Sequence, residues 1–392
     1  MIKAFKFQLL PTKEQEVLLA KHFGCKRFVW NYFLNRRKEE YLKDKKTLNY
    51  YECASELVNL KKQEETSWLK EINSQTLQST LRDLDGAYNR FFRKQSKFPK
   101  FKSKWDRQSF RVPQHISVKN NKIFFPKFNE GIKINIHREI NGEICFIAVS
   151  KTPTGKYFVS ITCEVGEIPK LPISNKSIGV DLGIKDFAVC SNGEKFDNPK
   201  HYQKLEKKLK FRQRQLSKKQ KGSKSRDKQR KQVARIHEKI TNSRQDFLHK
   251  LSTKLIHENQ VICIEDLDVK GMMADRNVAK SIGTCGWGEF VRQLNYKAEW
   301  YGREIIKVDR FFPSSKTCNH CGWINEGLTL SDREWTCCCG KVIDRDLNAA
   351  LNILQQGVNL KKSGLGIKSD SKQKQVEAST LVESTKPEIQ HL

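Results

Sequence analysis

Apolar and polar residues alternate near the start of the chain. Phe5, Phe7 and Leu9 fall on one side and Ala4, Lys6 and Gln8 on the other, which predicts a strand over 2–9. Thr12, followed three residues later by Gln15, is a capping-box signature, and the period then becomes helical. The patches L-L-A-K-H-F, F-V-W-N-Y-F-L, Y-E-C-A-S-E-L-V-N-L and T-L-Q-S-T-L-R-D-L-D-G-A-Y-N-R-F-F predict three or four helices between about 12 and 95. Pro99 ends that run, within a stretch (Q-S-K-F-P-K-F-K-S-K-W) where lysines interleave with aromatics. From 108 to 167 the pattern is strand-like again, in S-F-R-V, K-I-F-F, I-K-I-N-I, I-C-F-I-A-V-S and Y-F-V-S-I-T-C. A first strand, a helical stretch and a return to strands predict one small β-barrel interrupted by a helical domain.

A second unit begins near 175, where S-I-G-V-D-L-G, F-A-V-C and E-K-F read as three short strands joined by tight turns. Helical spacing then carries Leu205, Leu209 and Leu216 and, beyond a break at K-K-Q-K-G-S-K-S-R-D, Val233, Ile236, Ile240, Phe247, Leu251 and Leu255. V-I-C-I-E-D-L (261–267) reads as a buried strand, 287–302 as an amphipathic helix, R-E-I-I-K-V-D as a strand and N-A-A-L-N-I-L as a last helix. After Gln356 the chain turns polar and low in aromatics, so 357–392 is expected to be disordered. The whole is an α/β multidomain pattern, as 392 residues suggest.

Charge narrows the partner. The chain has 74 Lys+Arg against 44 Asp+Glu, a net +30. Residues 200–250 alone hold 19 basic and 4 acidic residues, a net +15. A solvated surface would also be basic, but this density in a predicted helical hairpin favours phosphate neutralisation. Lys207, Lys208, Arg212 and Arg214 are the candidate nucleic-acid contacts there. The first residues, M-I-K-A-F-K-F-Q, contain no signal-peptide core, and no stretch is long and apolar enough to span a membrane, so a cytoplasmic protein is expected.

Of the 12 cysteines, five lie between 318 and 339. Cys318 and Cys321 face Cys337 and Cys339 across a 15-residue loop, the two-knuckle spacing of a structural zinc site. Cys338 could replace either neighbour. Cys339 is preferred because Gly340 follows it as Gly322 follows Cys321. Three acids form a second group. Asp181 and Glu265 each end an apolar strand, where an unpaired charge is costly and a divalent cation removes the cost. Gly179 shares the face of Asp181 and leaves room beside it. Asp346 opens the last helix, where the dipole favours an anion; Asp344 reads better as a loop or capping residue. Three such carboxylates can hold two Mg²⁺ ions about 4 Å apart for phosphodiester hydrolysis.

Together, G-V-D-L-G, I-E-D-L, the four-cysteine ribbon and D-R-D-L-N-A-A-L-N-I resemble the TnpB family of RNA-guided DNA endonucleases of bacterial insertion sequences, relatives of the type V CRISPR effectors. F-V-W-N-Y-F-L-N, S-Q-T-L-Q and F-P-K-F-K-S-K extend the likeness over about residues 1–355. The resemblance implies a wedge β-barrel from 1–11 and 108–172, a helical recognition insert at 12–107, and a RuvC-like nuclease of RNase H fold at 173–311 and 343–356. The basic hairpin read from charge and spacing, at 200–258, falls within that nuclease, and the cysteine segment at 312–342 is the zinc ribbon, the target nucleic-acid-binding insert. The resemblance assigns the catalytic, Mg²⁺-holding carboxylates to Asp181, Glu265 and Asp346. A guide RNA, a double-stranded DNA target and a short flanking motif are likewise implied, in a bacterial, nucleoid-associated setting. Target contacts on the helical region make Gln75 and Gln78, one turn apart, candidates for pairing with adenine, unless both are simply exposed helix formers. The second knuckle is C-x-C where many relatives have C-x-x-C. A strand-transfer transposase, with its usual Asp…Asp…Glu order, fits this Asp…Glu…Asp order less well. A nuclease-inactive zinc-ribbon DNA-binding protein would not need all three acids.

Overall fold

The structure, a computed structural model, describes residues 1–329 and 331–363, the side chain of Asn277 apart. It forms two compact units, Met1–Glu167 and a second beginning at Ile168.

The first unit opens with β1 (Ile2–Leu10), then the helices α1 (Lys13–Asp44), α2 (Tyr50–Leu60) and α3 (Ser74–Phe92), with a 3₁₀ segment, Glu64–Glu71, before α3. The strands β2 (Gln108–Val112), β3 (Ser117–Lys119), β4 (Lys122–Phe125), β5 (Phe128–Asn135), β6 (Glu143–Lys151) and β7 (Tyr157–Glu164) follow. The capping box is present: Gln15 N–H donates to Thr12 Oγ1, and Thr12 N–H to Gln15 Oε1. The first two helical patches belong to the single helix α1. All seven strands join one antiparallel sheet in the order β2-β6-β7-β1-β5-β4-β3. The first strand is thus central, pairing Phe7 with Val159 on one side and Leu9 with Ile134 on the other. Phe5, Phe7 and Leu9 are buried on the face that also takes Leu19 and Phe23 of α1, while the helices keep a separate core around Phe33, Leu57 and Leu81. Among the described residues no ladder joins the end strands β2 and β3.

The second unit contains β8 (Ser177–Asp181), β9 (Asp186–Cys190), β10 (Lys195–Asp197), α4 (His201–Ser217), α5 (Lys224–Glu258) and β11 (Val261–Glu265). It continues through α6 (Val269–Met272), α7 (Arg276–Cys285), α8 (Trp287–Tyr301), β12 (Glu304–Val308), the short hairpin β13 (Glu334–Thr336) and β14 (Val342–Asp344), and α9 (Arg345–Lys362). Its main sheet runs β10-β9-β8-β11-β12, with β8, β11 and β12 parallel. Ile178, Val180, Ile262 and Ile264 face α5 and α8 through Leu251, Leu255, Phe290 and Leu294. Cys263, Ile306 and Val308 on the opposite face meet Ile353 of α9.

Residues 357–362, read as part of a disordered tail, are the last turns of α9. Polar composition misled there: Gly357 is buried because the helix passes so close to β11 that a Cβ would lie 2.3 Å from Cys263 Sγ, and Lys361 pairs with Glu304 at 2.7 Å. The remainder of the tail, 364–392, lies outside the described residues.

Candidate active site and metal centre

The site is built by one close approach. Period-two alternation puts Gly179 and Asp181 on the face of β8 that meets α9. A Cβ at Gly179 would lie 2.1 Å from Ala350 O and 2.7 Å from Leu354 N, so only glycine lets the helix backbone settle there. Ala350 and Leu354 are one and two turns beyond Asp346 on the same helix face. The contact therefore sets Asp346 alongside the end of β8. On the other flank of β8, the parallel register pairs Ile264 with Val180, so Glu265 ends β11 where Asp181 ends β8. Strand end, strand end and helix start thus bring three acidic residues from distant sequence toward the carboxyl ends of β8 and β11, though among the described residues their oxygens do not close into one cluster as the four cysteine sulfurs do.

The electrostatics record that convergence. The Asp181 carboxyl is pushed up from its ordinary 3.8 to about 7, first by burial, then by repulsion from Asp346 and Glu265, with Arg345 acting in the opposite direction. Burial also raises Glu265. Asp344 behaves differently. It caps α9, accepting from the N–H groups of Asp346 (3.1 Å) and Leu347 (3.0 Å) at Oδ1, and pairs through Oδ2 with Lys195 at 2.6 Å. Burial opposes its ionisation, but Lys195 and these N–H groups outweigh it and hold the carboxyl below its ordinary value. Both its oxygens are engaged. Asp346 is held by Arg345 at 3.0 Å through Oδ1 and by Arg333 at 3.2 Å through Oδ2. These two arginines were not singled out from sequence. Arg345 lay in view inside D-R-D, whereas nothing in the chain pattern ties Arg333 to an acid 13 residues later.

An acid held above its unfolded value binds a proton in the native state while the unfolded chain has lost it. Between about pH 7 and about pH 4 native stability therefore rises as pH falls, and above pH 7 the repulsion is fully present. In metal-free buffer, Asp181→Asn is expected to be more stable than wild type by about 1–2 kcal/mol near pH 8, with the gap closing below about pH 5. Thermal unfolding in chelator at both pH values checks this. A difference independent of pH would show that Arg345 already neutralises the group.

The donor set suits a hard divalent cation: three carboxylates and no sulfur or imidazole, with a repulsion at Asp181 that a cation would relieve. The second cluster is all sulfur. Sγ atoms of Cys318, Cys321, Cys337 and Cys339 lie within 4.8 Å of one another, with Cys321–Cys337 at 3.4 Å and Cys318–Cys339 at 3.9 Å. A tetrahedron with arms of about 2.3 Å has edges of about 3.8 Å, so the four thiols suit a single metal ion. The Trp323 backbone N–H draws the Cys321 thiol down to about 7. Gly322 and Gly340 turn the knuckles at φ +78° and +83°. Cys338 is exposed and stands outside the group, and His320 is exposed as well.

The basic hairpin is held by a thin seam of Leu209, Val233, Ile236 and Ile240. Gln229 Nε2 donates to Arg212 O (3.1 Å), and Arg226 closes the end of α4 on Leu216 O and Lys219 O, both 2.7 Å. Lys207, Lys208 and Arg214 are exposed and Arg212 is half-buried. Reversing the charge of three of them is expected to weaken nucleic-acid binding at every sequence and to flatten its log–log salt dependence by about one unit per lost phosphate contact. Filter binding across a salt series checks this, and an unchanged slope would reduce the hairpin to a solvated surface. Of the two glutamines, Gln78 is exposed, whereas Gln75 is half-buried and donates to Gln114 Oε1 at 2.9 Å.

Three family profiles match in succession: "Helix-turn-helix domain" over residues 1–46, "Probable transposase" over 160–276 and "Cas12f1-like, TNB domain" over 287–353. In this chain the first of those stretches forms β1 and α1 rather than two short helices. A protein of Streptomyces pristinaespiralis named "Putative RNA-guided DNA endonuclease" is 40% identical over 370 residues, covering 93% of this chain and 92% of its own length. "Putative RNA-guided DNA endonuclease InsQ" of Escherichia coli K12 is 35% identical over 402 residues, covering 98% and 99%. Among solved structures, a chain from the cryo-EM Cas12f1–sgRNA–target DNA complex matches with a TM-score of 0.50 at 15% identity, covering 90% of this chain and 98% of that one, a likeness of mixed α/β fold. Among the described residues no helix is long and apolar enough to cross a membrane. Relatives of this identity along nearly the full length of both chains place the chain in the TnpB family.

Proposed function

We propose that the chain is an RNA-guided, divalent-metal-dependent DNA endonuclease of a transposable element, acting in the bacterial cytoplasm at the nucleoid. Asp181, Glu265 and Asp346 are its metal-holding acids. The observation that supports the reading is one of backbone placement: Asp181 and Glu265 end adjacent parallel strands, and Asp346 starts the helix whose backbone Gly179 admits. The names of the relatives support a guide RNA and a DNA target, and the net +30 supports polyphosphate partners. On this reading the β8–β12 sheet with α9 is a RuvC-like nuclease and the four-cysteine segment a structural zinc ribbon. The seven-stranded sheet is then the wedge, and the α1–α3 region the recognition insert.

When bound, a pair of Mg²⁺ ions would supply an activated water and stabilise the leaving 3′ oxygen. The chain's own residues prepare for this. Asp181 and Glu265 end adjacent parallel strands, so the sheet fixes their spacing. Asp346 is oriented by Arg345 and Arg333, one on each oxygen. Asp344, with both oxygens engaged, secures the helix start rather than competing for the ions. Gln78, exposed on α3, is the better placed of the two glutamines to read a flanking base. The test is direct: protein purified with its co-expressed RNA, which is then sequenced, should cut a plasmid carrying the matching sequence when Mg²⁺ is supplied. Guide-matched DNA that is bound but stays intact would leave a nuclease-inactive binding protein.

A further inference from the structure

We propose that Asn348 and Asn352 are positioning residues that couple the cysteine knuckle to the acid-bearing end of α9, so that occupancy of the sulfur site sets the affinity of the carboxylate site. This rests on the endonuclease reading above. The two asparagines are one turn apart and 4% exposed each. Asn348 Nδ2 donates to Thr317 O at 2.7 Å and Asn352 Nδ2 to Ser314 O at 2.7 Å and Thr317 O at 2.6 Å. In return, Asn319 N–H donates to Asn348 Oδ1 at 2.9 Å, and Asn319 Nδ2 to Asn352 Oδ1 at 3.0 Å. Both amides are therefore satisfied by the segment 314–319, which contains Cys318, the first residue of the knuckle.

Two residues along a helix is a turn of about 200°. Asn348 and Asn352 therefore lie opposite the Asp346–Ala350–Leu354 face that meets Gly179. The helix is clamped: the sheet grips it where the glycine admits its backbone, and the knuckle grips the far side. A clamp of buried hydrogen bonds has few alternative arrangements, since any slide strands polar groups away from water. When four thiolates share a metal, segment 314–319 is fixed and α9 is held against β8. When they do not, the knuckle loosens and only the sheet side holds Asp346. Supporting groups of this kind typically alter metal affinity by about 10–100-fold.

The experiment measures Mn²⁺ binding to the guide-loaded protein by electron paramagnetic resonance, with zinc content measured in parallel. Stripping zinc from wild type is expected to weaken Mn²⁺ binding about tenfold or more. Asn348→Ala/Asn352→Ala should keep one zinc per chain, bind Mn²⁺ about tenfold more weakly, and respond little to zinc removal. Should the double variant fail to fold, Asn319→Ala removes only side-chain bonds from the knuckle side and should give an intermediate loss with zinc retained. Wild-type Mn²⁺ affinity in a zinc-loaded, folded variant would overturn the coupling. So would an equal response of variant and wild type to zinc removal. If wild type binds zinc and Mn²⁺ independently, the coupling alone falls; if it binds no Mn²⁺, the endonuclease reading falls with it.

Discussion

Alanine at Asp181, Glu265 or Asp346 is expected to lower the cleavage of guide-matched plasmid by about three orders of magnitude or more, with no further loss on combining them. The three carboxylates come from two strand ends and a helix start, and a cation that they would hold together would be lost as a unit when one is removed. Binding of matched DNA should survive, because affinity comes from phosphate contacts and base pairing with the guide. Asp181→Ala should bind no worse than wild type, since it removes an anion whose proton affinity is already raised by burial and by its neighbours. Mg²⁺ and Mn²⁺ should support cutting, whereas Ca²⁺, larger and looser in geometry, should support binding with little chemistry. Asp344→Ala is the informative control. It loses a helix cap and the Lys195 pair, worth about 1 kcal/mol for the cap, so activity should fall without vanishing. Plasmid nicking and linearisation, run beside a binding assay, decide among these. Full cleavage by Asp181→Ala or Glu265→Ala would remove the nuclease assignment. Full cleavage by Asp346→Ala, with loss in Asp344→Ala, would transfer the third role two residues upstream.

Serine at Cys318, Cys321, Cys337 or Cys339 is expected to unfold the ribbon and sharply lower the yield of soluble protein. Among the described residues the apolar core of this segment consists of Cys318, Leu328, Trp335, Cys337 and Ile343. So few side chains cannot offset the conformational entropy of some thirty ordered residues, whereas a structural zinc site contributes about 10–16 kcal/mol in small domains. Cys338→Ser should be mild, because its thiol stands outside the cluster. Metal analysis is expected to find one zinc per chain in wild type and Cys338→Ser, and none in the other four variants. Soluble, active wild type without zinc would overturn the assignment, and a severe Cys338→Ser with a mild Cys339→Ser would exchange the two sulfurs.

The readable parts of the sequence were those that depend on local period. The alternation of Phe5, Phe7 and Leu9, the Thr12–Gln15 box and the two hairpin helices around the break near 220 each express a local rule, and each appears in the structure. The distinction between Asp344 and Asp346 was also local, since helix-start chemistry separates a cap from a first-turn acid. What escaped depends on register between distant segments. Arg333 reaches Asp346 only because β13 pairs with β14 directly before α9. Asn348 and Asn352 look like ordinary helix residues until the 314–319 segment lies over them. The length of α9 was misjudged because composition describes a tail, while burial of Gly357 is decided by Cys263 on another strand. Helix α7 lies in a stretch of mixed polar and small residues whose own apolar face, Ile282 and Cys285, shows only once it is packed into the core of the second unit.

The central place of β1 has a consequence for synthesis. Both edges of this strand are taken up by partners made much later: β5 starts at Phe128 and β7 at Tyr157. At about 5–20 residues per second, β1 waits on the order of ten seconds after leaving the ribosome with both hydrogen-bonding edges unsatisfied and Phe5, Phe7 and Leu9 uncovered. Meanwhile α1 to α3 can already assemble their own core from residues between Cys25 and Tyr88. The nascent chain thus carries a folded helical body behind an unpaired apolar strand, the interval in which a chaperone or a wrong strand partner would find it.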